Sequence, residues 1–199
     1  YFYFLHHHEQ NLFKLGGLHK TMPITGVTFL IGALALSAIP PFAGFFSKEA
    51  IIQAVGYQKT YFLGGGYAYT CVLLGALVTP VYIFRAFWLT FYAVDRTGDD
   101  IEESPMSILI PLALLALGSC LVGYIGASGL ASGNWLYESI PIYKDISLNV
   151  SDHIMHELMH PAGMIVNSLF HLPLYLSLLG IGLTYACYEK KNKFLNNLS

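Results

Sequence analysis

The sequence predicts an all-α membrane protein with about four transmembrane helices, one of which is discontinuous because two prolines interrupt it. Of the 199 residues, 55% are hydrophobic and 11% are charged, whereas about a quarter are charged in soluble domains. Several stretches reach the roughly 20 apolar residues that a helix needs to cross a bilayer. The formal net charge of −2 offers no basic face to phosphates, so we expect the lipid bilayer and no nucleic acid as a partner.

The first span is expected over residues 22–57, as two helical parts joined by unwound backbone. Thr21 is a candidate N-cap and Pro23 suits the first turn of the helix. Pro40 and Pro41 remove two backbone donors, so the helix should break there. Unwound backbone at membrane depth is tolerated only where protein buries it or where it lines a wet cavity. The break therefore favours a transport function.

Three further spans are expected, in a single membrane region that includes the whole chain. The second is expected over residues 61–92, where Pro80 should introduce a kink. The third is expected over residues 105–126 and the fourth over residues 166–188. Between these two, residues 127–165 are mixed in polarity and are expected to form a loop on the outer side.

Basic residues are distributed unevenly between the two sides of this arrangement. Four spans put both chain ends and an acidic loop at residues 95–103 on one side. That side has Lys14, Lys20, Arg96, Lys190, Lys191 and Lys193, whereas the other has Lys59 and Lys144. The positive-inside rule then places the chain ends in the cytoplasm or the mitochondrial matrix. We expect a multi-pass protein of the bacterial inner membrane or the mitochondrial inner membrane.

Lys48 and Glu49 are the first candidates for chemistry. A lysine within an apolar helix costs a few kcal/mol and is usually kept because it faces a cavity or a partner. Burial favours the neutral amine, which can exchange a proton. Glu49 is a candidate charge partner, although adjacent helical residues do not share a face. The alternative is a lysine that extends to the membrane surface from the end of a plain span; the proline break favours function.

His156, Glu157 and His160 form an H-E-x-x-H motif. In zinc peptidases this spacing places two imidazoles one helical turn apart, with the glutamate beside a metal-bound water. Pro161 disfavours helical geometry at the second histidine, and no third ligand is evident downstream. A solvated histidine-rich loop and adventitious metal binding are both preferred over catalytic zinc.

A second polar cluster contains His7, His8 and Glu9, near the start of the chain. Clustered histidines relay protons or bind metals in some proteins, but a cluster alone is more often a polar helix end. His171 lies beside the last span, and the sequence does not assign it a partner.

Four short motifs follow one another in the first quarter of the chain. They are residues 7–11 (His-His-Glu-Gln-Asn), 14–18 (Lys-Leu-Gly-Gly-Leu), 22–25 (Met-Pro-Ile-Thr) and 39–48 (Ile-Pro-Pro-Phe-Ala-Gly-Phe-Phe-Ser-Lys). Together they resemble the L-type antiporter-like subunit of NADH:quinone oxidoreductase, whose mitochondrial counterpart is subunit 5 of complex I. The resemblance implies an internal fragment or a split-gene product, about a third of a family member, within an antiporter-like bundle.

The resemblance also implies roles for particular residues. Lys48 matches the family's proton-translocation lysine in the second discontinuous helix, and Glu49 stands where the family commonly has aspartate. His7, His8 and Glu9 match a family motif with a structural or gating role.

The function that the resemblance implies is proton translocation in the membrane arm, coupled to quinone reduction elsewhere in the complex. This chain would be a translocase subunit without a redox centre or cofactor, since the NADH, FMN, iron–sulfur and quinone sites lie elsewhere. Its partners would be other membrane-arm subunits. The alternatives are a subunit of a multisubunit cation/proton antiporter, a purely structural membrane subunit and, less favoured, a membrane zinc metallopeptidase.

Overall fold

In the computed structural model the described residues, which are 12, 15–58, 64–94, 103–131 and 159–196, are mainly helical. The helices are α1 (Pro23–Leu36), α2 (Ala43–Gln58), α3 (Gly65–Phe87), α4 (Met106–Ala131), α5 (Pro161–Ser168) and α6 (Leu172–Asn196). A π-helical turn, Trp88–Tyr92, continues α3. The described ranges contain no strand, so the predicted all-α class is confirmed.

Two helices are long and apolar enough to cross a bilayer, over Gly65–Tyr92 and Met106–Ala127. A third crossing is added if Pro161–Ser168 and Leu172–Tyr188 form one span, which is bent by 66°. The predicted count of four is therefore not confirmed in the described part of the chain. α1 is apolar but has only 14 residues, or about 21 Å at 1.5 Å per residue, which is too short to cross a hydrocarbon core alone.

α3 packs most extensively against α6 and also contacts α1 and α2. Gly180 of α6 permits this close approach, because a Cβ there would lie 2.7 Å from the carbonyl oxygen of Leu77. The buried side chains of the largest cluster come from the segment before α1, from α1 and from the end of α3. They are Leu18, Met22, Ala33, Phe84, Phe87 and Phe91.

α4 packs against both halves of the broken segment, α1 and α2. Gly123 of α4 meets the start of α2, where an added Cβ would lie 2.7 Å from the Phe46 ring and 2.8 Å from the Cα of Ala43. Phe45 and Phe46 are buried there with Met164 of α5. This packing fixes the position of α2 relative to the rest of the bundle.

Glu103, just before α4, caps the first turn of α1. Its carboxylate accepts hydrogen bonds from the amide of Ile24 (2.8 Å) and the hydroxyl of Thr25 (2.7 Å). A carboxylate at a helix N-terminus satisfies free amides and complements the helix dipole. The cap therefore joins two segments that lie about 80 residues apart in the sequence.

Removing this cap should destabilise the protein moderately. We expect Glu103→Ala to cost about 1–2 kcal/mol, the range measured for helix caps, and to lower the midpoint of thermal unfolding of the purified protein. Glu103→Gln keeps an acceptor oxygen but loses the charge, so its midpoint should lie between those of the native protein and Glu103→Ala. Native midpoints for both variants would show that the cap contributes nothing.

Candidate functional site

The candidate site is built on the backbone break between α1 and α2, at the point where α1 ends. Ala38 adopts the left-handed conformation, with φ of 57°. Its amide donates to the carbonyl of Ala35 (3.1 Å), and the amide of Ile39 donates to the carbonyl of Leu34 (3.2 Å). These two bonds make a Schellman ending. They satisfy two carbonyls of the last turn but not that of Leu36.

Lys48 supplies a donor for that remaining carbonyl from the other side of the break. It lies in the second turn of α2, and its Nζ donates a hydrogen bond to the carbonyl oxygen of Leu36. The last carbonyls of a helix carry partial negative charge and lack partners within the helix, so an ammonium is favoured there. The two halves of the interrupted segment are thus joined by one titratable side chain.

Glu49 makes its contacts in a different direction. Its side chain is buried, with 4% of the residue exposed, and Oε1 lies 2.6 Å from Nδ1 of His171 at the start of α6. Gln53, one turn later in α2, donates to the same oxygen at 3.4 Å. In the described ranges, Glu49 contacts His171 and no salt bridge joins it to Lys48.

Cavities adjoin both titratable groups. One of about 240 Å³ is bounded by Lys48 and by residues of α2 and α3, among them Thr79. A second, of about 430 Å³, is lined by Glu49, His171 and polar side chains of α2, α3 and α5. A small gap of about 10 Å³ has both Lys48 and Glu49 in its wall. The site therefore combines the side chains of Lys48, Glu49 and His171 with the cavities beside them.

The other candidates from the sequence do not enter this site in the described part of the chain. His7, His8, Glu9, His156 and Glu157 lie outside the described residues. His160 is exposed directly before α5. No group of three histidine, cysteine or acidic side chains suited to a metal ion occurs within the described ranges.

Sequence reasoning missed one participant, the Leu36 carbonyl, and noted a second, His171, without assigning its partner. Every residue has a backbone carbonyl, so the sequence does not mark this one. Only the exact end of α1 shows which carbonyl lacks a hydrogen-bond donor within the helix. His171 had a weak signal, as a histidine beside an apolar span. Its partner lies 122 positions earlier in the chain, so a hydropathy pattern alone could not identify the pair.

Comparisons with known proteins point in one direction. The family described as "NADH:quinone oxidoreductase/Mrp antiporter, TM" matches residues 2–73, which include the broken segment and Lys48. NADH-quinone oxidoreductase subunit L of Neisseria meningitidis is 33% identical over 205 residues, covering 92% of this chain. The Mycobacterium tuberculosis subunit L is 40% identical over 144 residues, or 70% of the chain. NADH-ubiquinone oxidoreductase chain 5 of Arabidopsis thaliana is 37% identical over 131 residues, or 64% of the chain.

The chain corresponds to only part of each of these relatives. It spans 30% of the Neisseria protein, 22% of the Mycobacterium protein and 19% of the Arabidopsis protein. The resemblance expected from the four motifs is confirmed, and it extends well beyond them along the chain.

Proposed function

We propose that this chain, which is homologous to part of the antiporter-like L-type (chain 5) subunits of NADH:quinone oxidoreductase, translocates protons in the membrane arm of such a complex. The observation that carries the proposal is the hydrogen bond from Lys48, across the helix break, to the carbonyl of Leu36. A plain span ending in a solvated lysine has neither the break nor the contact.

The contact gives the lysine two distinct environments. While Nζ meets the helix end, the ammonium is stabilised by about 0.3–2 kcal/mol, the range for a cation at a helix C-terminus. If the two halves separate, that stabilisation is lost while the apolar surroundings remain, and the neutral amine is favoured. Since about 1.4 kcal/mol corresponds to a tenfold change in protonation equilibrium, making or breaking this contact changes the protonation equilibrium of Lys48 by up to roughly thirtyfold.

The remaining parts of the proposal concern the assembly. The chain contributes no redox centre of its own, and quinone reduction elsewhere in the complex supplies the free energy. Its partners are other membrane-arm subunits and the lipid bilayer, which together cover the many apolar side chains exposed on the described helices. The complex resides in a bacterial or mitochondrial inner membrane.

The test is proton uptake per NADH oxidised, in membrane vesicles that contain the complete subunit in its assembled complex. We expect Lys48→Met to lower proton uptake by at least about tenfold. Loss of a positioned proton-transfer group typically costs about a hundredfold or more, so tenfold is a lower limit. Lys20→Met is the matched control, since Lys20 is exposed before α1 and its loss should change nothing.

Native proton uptake in an assembled Lys48→Met complex would overturn the proposal. The matching family also includes antiporters, so purification supplies a second criterion. A complex that exchanges cations for protons and lacks an NADH-oxidising module would assign the chain to that class instead.

A further inference from the structure

We infer that Glu49 and His171 form a second proton-carrying site, which takes up protons from Lys48 and releases them into the adjoining cavity. The inference rests on the proposed function of Lys48 and adds the group that receives its proton. It concerns a histidine immediately before α6 that none of the four sequence motifs contains.

The contact between the two side chains is the first support. Glu49 is buried, and buried carboxylates require a hydrogen-bonded or charged partner. His171 fills that role, with 2.6 Å between its Nδ1 and Oε1 of Glu49. The contact thus holds an imidazole, the side chain that most often transfers protons in proteins, against a buried carboxylate.

The second support is the small gap between Lys48 and Glu49. Its wall also includes Ser177, whose buried hydroxyl bonds to a backbone carbonyl of α3. The gap has a volume of about 10 Å³, close to the roughly 10–15 Å³ that a single water requires. Because Lys48 and Glu49 both line the gap, one water there is enough to pass a proton from the ammonium to the carboxylate.

The third support is the larger cavity on the far side of the pair. His171 has 34% of its side chain exposed, whereas Glu49 has 5%, so the imidazole is the member with access to the cavity. The other polar or titratable side chains in its wall are Gln53, Tyr57, Tyr69 and Asn167. This cavity lies where α2 ends and α6 begins, away from the end of the bundle at which α1 starts.

The transfer conserves protons and charge. The ammonium of Lys48 loses one proton and becomes a neutral amine. The pair takes up that proton and changes from a carboxylate with a neutral imidazole to a carboxylate with an imidazolium. The imidazolium then releases one proton to water in the cavity, and the pair returns to its starting state.

The experiment compares two replacements of His171 in the complete subunit within its assembled complex. His171→Asn retains an N–H donor for Glu49 but cannot bind a proton, whereas His171→Ala opens space in the cavity wall. We expect both to lower proton uptake per NADH by at least about tenfold. Added imidazole should restore uptake in His171→Ala, because the cavity of about 430 Å³ admits it.

His160→Ala serves as the matched control, since this histidine is exposed and precedes α5; its uptake should be native. If His171→Asn pumps normally, the histidine only holds Glu49 in place and the inference is wrong. Failure of imidazole to restore uptake in an assembled His171→Ala complex contradicts it equally. A loss of uptake in Lys48→Met with native uptake in both His171 variants would overturn this inference and leave the proposed function intact.

Discussion

Replacing Lys48 by arginine is expected to stop proton uptake about as completely as replacing it by methionine, although arginine keeps the positive charge. A guanidinium remains protonated at any pH the protein meets, whereas a lysine amine in an apolar setting can lose its proton. Arginine can still donate a hydrogen bond to the carbonyl of Leu36. The helix break should therefore stay closed, and the complex should assemble.

The measurement is proton uptake per NADH in vesicles, alongside the amount of assembled complex and its rate of NADH oxidation. We expect at least a roughly tenfold fall in uptake, as for a lost proton-transfer group, with native assembly. Lys20→Arg, at an exposed position before α1, should have no effect. If Lys48→Arg pumps as well as the native protein, Lys48 acts as a fixed charge that holds the break together, and protons cross elsewhere.

The position of the break illustrates what the sequence could and could not predict. Prolines at 40 and 41 predict an interruption near those residues, and α1 and α2 do stop and start on either side of them. The helix nevertheless ends earlier, at Leu36, because Ala38 adopts a left-handed conformation. Alanine gives no sign of this, since glycine is the usual residue there.

The contacts between distant segments were beyond sequence reasoning. Lys48 and Glu49 were identified because charged residues inside an apolar stretch are rare and expensive. Their partners depend on how the helices pack, which brings His171 to Glu49 and Glu103 to the start of α1. A helix face that contacts lipid and one that contacts protein are both apolar, and a single sequence does not distinguish them. The sequence therefore could not show which helices are neighbours.

The predicted number of membrane spans was uncertain for a different reason. Length and hydropathy identify α3 and α4 as crossings, because each is longer than the bilayer core is thick. A short apolar helix is not long enough to count as a crossing alone. Two such helices separated by a bend count as a crossing only if they are taken together as one span. The bend at Leu169–His171 and the gap after Leu36 are therefore features that only coordinates reveal, and both lie at the candidate site.

Gly44→Val is expected to be strongly disruptive. Gly44 lies in the first turn of α2, and a Cβ there would overlap the carbonyl oxygen of Ala35 in the last turn of α1. A backbone carbonyl within a helix cannot rotate aside as a side chain can, so the two helix ends must separate. Overpacking of this kind costs about 1–3 kcal/mol, and the displacement should also break the contact between Lys48 and Leu36.

The expected result is a lower thermal midpoint of the assembled complex together with a loss of proton uptake. Gly44→Ala should show the same changes to a smaller degree, since it adds one methyl group at the same contact. Gly32→Ala in α1 is the matched control, because an added Cβ there meets no atom within 4 Å among the described residues outside its own turn of backbone; alanine there should leave uptake native. Native stability and uptake in Gly44→Val would show that the close approach of the two half-helices, and with it the lysine bridge across the break, is not required for function.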